Sequence, residues 1–91
     1  MRGAFKSTRL DGSSFKGANM ARVMMEFASL RGADLTGADL RGSELAAADL
    51  TGANIEGANF EAADLNTAKM IDLKNAGAAK NLDRARNYRK P

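Results

Sequence analysis

ADLTG ADLRG SELAA ADLTG ANIEG ANFEA, residues 33–62 of the 91-residue chain, is one five-residue unit written six times. The third position of every unit is large and apolar, the first is small, and the fifth is glycine or alanine. An α-helix would spread apolar residues at this spacing around its whole surface, and a flat strand would send successive ones to opposite faces. The pattern therefore predicts a chain that turns a corner once per unit, with one large and one small side chain of each unit pointing inward.

The period extends from this stretch in both directions without a slip. A large apolar residue occupies every fifth position from Phe5 to Met70, fourteen positions in all, and a small residue or valine lies two positions before each. Burying one of the central leucines completely should stabilise the fold by about 1.5–3 kcal/mol. The residues that we expect to form the ladder of the core are Leu30, Leu35, Leu40, Leu45, Leu50, Ile55, Phe60 and Leu65.

The segments GADLT, GADLR, AADLT, GANIE, GANFE and AADLN resemble the A-(D/N)-L-x-x unit of the pentapeptide-repeat family, and the resemblance covers residues 3 to about 72. It implies an all-β fold, a right-handed quadrilateral β-helix in which four units form one coil and residues 20 apart stack. Fourteen units would then make a solenoid of about three and a half coils. This stacking sets Lys6 beneath Glu26 and Asp11 beneath Arg31, and such opposite charges favour the register weakly.

The period fails after Met70, and the segment from about Asn75 has the pattern of a short α-helix with Asn75 as its N-cap. Solenoids usually need caps at their open ends. We therefore predict a pentapeptide-repeat β-helix over residues 1–72 and a C-terminal capping α-helix with a basic tail over residues 73–91. Leu82 is expected to seal the last coil.

The N-terminal end has no comparable cap in the sequence, because the repeat begins at once. Three interpretations stay open. Phe5 and Phe15 plug the end, or the open strand edge stacks on a second copy of the chain, or further coils once preceded this one. An exposed strand edge is a ready site for pairing with another chain.

The composition argues against an enzyme. The chain contains neither Cys nor His, which removes thiolate metal ligands and the commonest general base and metal ligand. We expect no catalytic residue, no cofactor and no metal site, since a filled core offers no pocket with convergent ionisable groups. No apolar run approaches the length of a membrane span, and the N-terminus lacks the apolar segment of a cleaved signal. These features suit a cytoplasmic protein.

The net charge of +3 is unevenly distributed. Residues 1–32 carry six basic and two acidic groups, residues 33–64 carry one and seven, and residues 65–91 carry seven and two, so both ends are basic around an acidic waist. A functional interpretation makes this waist a binding surface. A structural interpretation notes that Asp or Asn just before the central apolar residue can bond to nearby backbone. The acidic surface residues are Asp34, Asp39, Glu44, Asp49, Glu56, Glu61 and Asp64.

Met24 and Phe27 break the pattern, because they stand at outward positions where most other units have polar or small residues. With Ala4 and Ala47 nearby in the stack they would form an exposed apolar patch, and such patches tend to mark interfaces. The alternative is a local irregularity without a role. We treat Met24 and Phe27 as interaction candidates.

The sequence therefore predicts a non-enzymatic structural or protein-interaction module. Its partner is another protein or a second copy, through end stacking or through the face that carries Met24 and Phe27. Nucleic-acid binding is not expected, since the basic tail lacks interleaved aromatic residues. The alternative comes from the resemblance: some pentapeptide-repeat proteins imitate B-form DNA and shield DNA gyrase from inhibitors. Those members are longer and acidic along much of their length, whereas this chain has basic ends.

Overall fold

The computed structural model describes residues 4–88, whose backbone winds into a stack of four-sided coils. Parallel bridges join residues 20 apart, from Ala4 with Met24 to Asn54 with Lys74. The backbone N–H of Leu35 donates to the carbonyl of Asn54 at 2.8 Å, in the following coil. Each unit is thus bonded to the coil that precedes it, to the one that follows, or to both, and the ladder runs through the whole described region.

We number the coils in chain order: coil 1 comprises residues 4–22, coil 2 residues 23–42, coil 3 residues 43–62 and coil 4 residues 63–84. Residues 85–88 begin a further coil, because Arg86 bridges to Asp64. The four sides of the stack are faces 1 to 4, again in chain order. Face 1 consists of residues 4–7, 23–27, 43–47, 63–67 and 85–88.

Each corner of the five-residue coils is closed by a tight turn. The N–H of Ala38, for example, donates to the carbonyl of Leu35 at 3.0 Å. The residue two positions after the large inward one takes a left-handed conformation at fourteen corners, with φ between 54° and 72°. Only glycine adopts that conformation without a steric cost. This explains why glycine occupies seven of the fourteen corners, as Gly37 does.

The interior is filled by the two inward side chains of each unit. The eight ladder residues Leu30 to Leu65 lie in the core with Met20 and Met25, and the small partners such as Ala33 and Ala48 are equally buried. The end coils close less completely: Phe5, Leu10 and Phe15 are only partly buried against this core. The middle coils therefore supply most of the hydrophobic stabilisation.

The predicted C-terminal α-helix is wrong for the described residues. The segment forms two short 3₁₀ helices, Ala76–Ala78 and Leu82–Arg84, and no α-helix lies within residues 4–88. Both are built into sides of six residues that continue the solenoid, since Asn59 bridges to Lys80. The described residues thus make slightly more than four coils, not about three and a half. Leu82 is partly buried against the core as the inward residue of such a side.

Two features explain this outcome. From position 73 every third residue packs inward, and a spacing of three is also found on one face of an α-helix, so the pattern allowed both interpretations. The deciding residues are Asn75, Asn81 and Asn87, which have φ values of 60°, 57° and 61°. A left-handed residue every sixth position is incompatible with a continuous α-helix. The residues that pack inward are Leu73, Ala76, Ala79, Leu82, Ala85 and Tyr88.

Candidate protein-binding face

Met24 and Phe27 both lie on face 1 in coil 2, and both are exposed. The exposed fraction is 42% for Met24 and 69% for Phe27. Within residues 4–88 the third large hydrophobic residue that is exposed is Ile71, on face 2 of coil 4. In coils 1 to 3 the exposed large apolar surface is therefore concentrated at a single level of a single face.

Phe27 occupies a corner in a left-handed conformation, with a φ of 63°. Its N–H donates to the carbonyl of Ala46 at 3.0 Å, so its backbone is part of the regular ladder. For a residue with a β-carbon this conformation costs about 1–2 kcal/mol. The corner carries that cost, and the phenyl ring nevertheless remains mostly in solvent.

Glu26 lies between these two residues and contains a polar atom without a partner. Its Oε1 atom is buried and accepts no hydrogen bond. Buried carboxylate oxygens are normally hydrogen-bonded, because leaving one without a partner costs free energy. A buried acceptor without a partner thus lies on the same side of coil 2 as the two exposed apolar residues.

The surroundings of this patch are small or charged. Ala4, in coil 1, bridges to Met24. In coil 3, Ala46 and Ala47 occupy the positions that Glu26 and Phe27 occupy in coil 2. Farther along face 1, Glu44 Oε1 pairs with Arg86 Nη2 at 3.1 Å. We call the group Ala4, Met24, Glu26, Phe27, Ala46 and Ala47 the face 1 patch.

The seven acidic residues of the predicted waist do not form a stripe on one side. Glu44 and Asp64 lie on face 1, Asp49 on face 2, and the others on faces 3 and 4. Four of the seven pair with arginine: Arg31 with Asp49 at 3.3 Å, Arg41 with Asp39 at 2.7 Å, Arg86 with Glu44 at 3.1 Å and Arg84 with Glu61 at 3.9 Å. The negative charge therefore encircles the solenoid and is partly neutralised within the chain.

Most of the aspartates that precede a central apolar residue accept hydrogen bonds from the backbone two residues later. Oδ1 of Asp49 accepts from the N–H of Thr51 at 3.0 Å, and Oδ1 of Asp34 accepts from the N–H of Thr36 at 3.0 Å. The threonine side chain and N–H together hold the pKa of each carboxyl below its usual range. This is the arrangement that the structural interpretation of the position predicts.

The two charge stacks expected from the period of 20 have different outcomes. Asp11 accepts a hydrogen bond from the N–H of Arg31 at 3.0 Å and a short one from the hydroxyl of Ser29, and these contacts lower the pKa of Asp11. The guanidinium of Arg31 reaches the other way, to Asp49. Lys6 and Glu26 form no ion pair within the region that the structure describes.

The six-residue sides contain an asparagine ladder that the sequence pattern did not predict. Asn75 Nδ2 donates to Asn54 Oδ1 at 3.1 Å, and Asn81 Nδ2 to Asn59 Oδ1 at 3.0 Å. Asn87 Nδ2 likewise donates to Asp64 Oδ1 at 3.0 Å, the contact that most lowers the pKa of Asp64. The sequence does contain a signal, since KNA, KNL and RNY recur at intervals of six from Lys74.

The same segment carries a ring of basic residues that also escaped prediction. Four successive sides, starting at face 2 of coil 4, each have a basic bridging residue. Each of these residues bridges to an aspartate or an asparagine in the coil before. These basic residues are Lys69, Lys74, Lys80 and Arg86.

The C-terminal end of the stack contains a cavity of about 840 Å³ with an apolar floor. Leu65, Met70, Leu73 and Tyr88 contribute to its lining, and Ile71, with 57% of its surface exposed, stands at its edge. A second depression, of about 500 Å³, lies where face 4 meets face 1 and is lined by Arg22, Arg41 and Glu61 among others. Ionisable side chains line both of them, Lys69 and Asp72 in the cavity and these two arginines with Glu61 in the depression.

Among residues 4–88 no three His, Cys, Asp or Glu side chains are grouped so as to hold a metal ion. In the same region no helix has the length and apolar character needed to cross a membrane.

A filled, four-sided stack of five-residue units defines the class of β-solenoids to which the sequence analysis pointed. A family model for pentapeptide repeats matches residues 4–37 and 28–66, with 8 copies. The chain belongs to the pentapeptide-repeat family, whose fold is a right-handed quadrilateral β-helix.

One solved structure has a similar fold. The pentapeptide repeat protein Rfr23 from the cyanobacterium Cyanothece 51142 is similar over 89% of this chain and 61% of its own, with 24% identity and a TM-score of 0.56. This likeness shows the fold. HetL, a pentapeptide repeat protein involved in heterocyst differentiation regulation in Nostoc, matches 87% of this chain and 38% of its own, with 28% identity and a TM-score of 0.41.

QnrB1, a plasmid-mediated fluoroquinolone resistance protein, is more distant. It shares 19% identity over 84% of this chain and 66% of its own, with a TM-score of 0.28. This chain therefore spans about three fifths of Rfr23 and less than two fifths of HetL. No curated protein matches it in sequence.

Proposed function

We propose that this chain is a non-enzymatic protein-interaction module that binds its partner through the face 1 patch. The observation that carries the proposal is Phe27, which combines a left-handed backbone with a side chain that is 69% exposed. Aromatic residues and methionine are enriched in the cores of protein interfaces. Met24, at the same level of the same face, extends the apolar surface that such a partner would cover.

The free-energy terms at this corner support a role outside the chain. Glycine would remove the backbone cost, as it does at seven other corners, and a polar residue would remove the cost of exposing the ring. Phe27 stabilises neither the core nor the corner of the isolated chain. A partner that covers the ring recovers the hydrophobic free energy that the isolated chain forgoes.

A binding role through an outer wall also follows from the filled interior. The central leucines and alanines fill the interior of the described coils, so the surfaces that a partner can reach are the outer walls and the ends. Among the functions that a solenoid wall can perform, contact with another macromolecule requires only shape, apolar area and charge. Among the described residues of coils 1 to 3, the exposed large hydrophobic residues both lie in the face 1 patch.

DNA mimicry with gyrase as the partner receives no such support. The acidic residues are distributed over four faces, and four of the seven pair with arginine inside the chain. The basic residues of coil 1 lie at one end of the stack, and the ring of Lys69, Lys74, Lys80 and Arg86 lies at the other. Both interrupt any long negative potential. This alternative stays a prediction, and a supercoiling assay with gyrase and a quinolone tests it.

The test of the proposed function compares two matched variants. In Met24→Ser/Phe27→Ser the face 1 patch loses its large side chains, and in Ile71→Ser the other exposed large hydrophobic residue is removed from a different face. Immobilised wild-type chain should retain its partner from a lysate of the native host or from a solution of the chain itself. We expect the double variant to lose that partner and Ile71→Ser to keep it.

Thermal unfolding of the same three proteins is the control for folding. Because Met24 and Phe27 are exposed, the double variant should unfold within a few degrees of the wild type. Retention of every partner by a folded double variant would contradict the proposal.

A further inference from the structure

We infer that the face 1 patch binds a second copy of this chain, in an antiparallel pair whose two-fold axis lies between the two copies of face 1 and runs along the side of coil 2. This inference rests on the proposed function and names the partner. It follows from three observations: the layering of charge along the solenoid, the positions of particular residues on face 1, and the size of that face.

The net charge of the coils changes from positive to negative along the first three coils of the stack. Coil 1 has four basic residues and one acidic, for a net charge of +3, and coil 3 has four acidic residues and no basic one, for a net charge of −4. Coil 2 lies between them with a net charge of −1. A two-fold axis at the level of coil 2 sets coil 1 of each copy opposite coil 3 of the other. Opposite charges then face each other twice in one pair.

Stacking end to end lacks this complementarity. Coil 1 is positive, and the opposite end of the described chain carries the ring of Lys69, Lys74, Lys80 and Arg86. Either end would therefore meet a like charge on a second copy, which disfavours association. The side-on antiparallel pair is the arrangement in which positive and negative layers coincide.

The positions of individual residues on face 1 agree with the same axis. A two-fold rotation about this axis reverses the order of the coils and keeps the direction along each side. Met24 of one copy then faces Met24 of the other, Phe27 faces Phe27, and Ala4 faces Glu44. The small alanine side chains allow the two walls to approach closely while the large side chains pack together.

The charged residues on face 1 provide a more specific check. The rotation sets Lys6 of one copy opposite Ala46 of the other, two positions along the same side from Glu44, whose Oε1 atom also pairs with Arg86 in its own chain. Lys6 forms no ion pair within the described chain, so it is available. The two Glu26 side chains, by contrast, face each other across the axis, and like charges in this position oppose association.

The size of face 1 suits a stable pair. The accessible surface of 5118 Å² belongs to a body of 27 × 22 × 21 Å, so that one of its six sides corresponds to roughly 850 Å². A standard interface buries about 800 Å² on each partner. Because the pair is isologous, it closes with two copies and does not propagate into a filament.

Sedimentation equilibrium of the full 91-residue chain tests the inference. We expect a monomer–dimer equilibrium that weakens as salt is added, because Lys6 and Glu44 are near the surface. Lys6→Glu and Glu44→Lys should each raise the dissociation constant about tenfold or more. Their combination should restore association. Lys16→Glu, the same change on face 3 of coil 1, should have little effect.

Glu26→Gln distinguishes a second copy from a basic partner of another kind. In the antiparallel pair it removes a repulsion at the axis, so that we expect tighter association. With a partner whose lysine or arginine bonds to Glu26, the same substitution would weaken binding. Tighter dimerisation of Glu26→Gln supports the inference, and weaker dimerisation overturns it.

The outcomes separate this inference from the proposed function. A chain that stays monomeric up to millimolar concentration, while its capture of a host protein still depends on Met24 and Phe27, overturns the antiparallel pair and leaves the proposed function intact. A dimer that forms equally well in the Met24→Ser/Phe27→Ser variant overturns both. A dimer in which the Lys6→Glu/Glu44→Lys combination fails to restore association overturns the antiparallel geometry alone.

Discussion

The five-residue sides of coils 1 to 3 and the six-residue sides from position 73 onward build the same backbone ladder from different units. In the first region the left-handed residue stands at the corner, as Gly37 does, and in the second it is the asparagine that follows the bridging residue, as in Asn81 after Lys80. The parallel bridges continue across the change. The comparison teaches that the bridging residue, and not the length of the side, sets the register.

The two regions also satisfy their polar groups differently. In coils 2 and 3 the bridging Asp or Asn accepts a hydrogen bond from its own side, as Asp49 does from Thr51. In the six-residue sides the left-handed Asn reaches back to the coil before, as Asn81 does to Asn59. The later region therefore adds side-chain bonds between coils, while its core residues are less buried.

The largest difference in stability between the two regions is expected when one inward leucine is removed from each. Leu40→Ala should lower the free energy of unfolding by about 2–5 kcal/mol, since Leu40 is fully buried in a middle coil. Leu82→Ala should cost less than half as much, because Leu82 is only partly buried. Urea unfolding in the Phe27→Ser background, which excludes any contribution from association, provides the measurement. Equal losses would mean that the six-residue sides pack as tightly as the five-residue ones.

A smaller effect is expected from the left-handed residues. Gly37→Ala should cost roughly 1 kcal/mol, from backbone conformation alone, because the new methyl group meets no atom within 4 Å. Asn81→Gly should cost roughly 0.5–1.5 kcal/mol, from the lost hydrogen bond to Asn59 alone. Asn81→Ala incurs both effects and should be the most destabilising of the three by urea unfolding. If it is no worse than Asn81→Gly, the side-chain bond is the only stabilising feature of Asn81.

The smallest effect is expected on changing the pH. Hydrogen bonds hold the pKa of Asp34, Asp39, Asp49 and Asp64 below the value in the unfolded chain, near 3.9. These carboxylates therefore contribute stability that is fully present above about pH 4 and is lost as the pH falls through the lowered pKa values. The free energy of unfolding, measured in urea between pH 7 and pH 2.5, should decline at the acidic end.

Asp49→Asn is the control for this pH dependence. The amide keeps an acceptor for the N–H of Thr51 but does not titrate, so we expect a shallower decline in that variant. A decline of unchanged steepness would assign the acid sensitivity to other groups.

The sequence predicted the regular coils because every unit states the same physical requirement. A large inward residue such as Leu40 and a small one such as Ala38 recur from unit to unit, and glycine occupies half of the corners, so periodicity, volume and backbone conformation agree. The exposure of Met24 and Phe27 followed from the same register. The period alone therefore identified the residues that are buried in the middle coils.

The region after Met70 could not be read in this way. An inward residue every three positions fits a helix as well as a six-residue side, and the choice depends on asparagines that occupy the left-handed conformation. Asn75 was interpreted as a helix cap for its hydrogen-bonding side chain, whereas that side chain bonds to Asn54 in the preceding coil. The partner is distant in sequence and became identifiable only once the coils were stacked. The burial of the Glu26 Oε1 atom likewise became identifiable only once the coils were stacked.

The ladder of bridges between residues about 20 apart has a consequence for how this molecule folds. Each pairing closes a loop of the same modest length, so the chain need never search for a contact between its termini. A completed coil offers a template for the one that follows, and growth can proceed in either direction from a nucleus. We expect the nucleus to form in the middle coils, where apolar burial is greatest, and the two end coils to open first under native conditions.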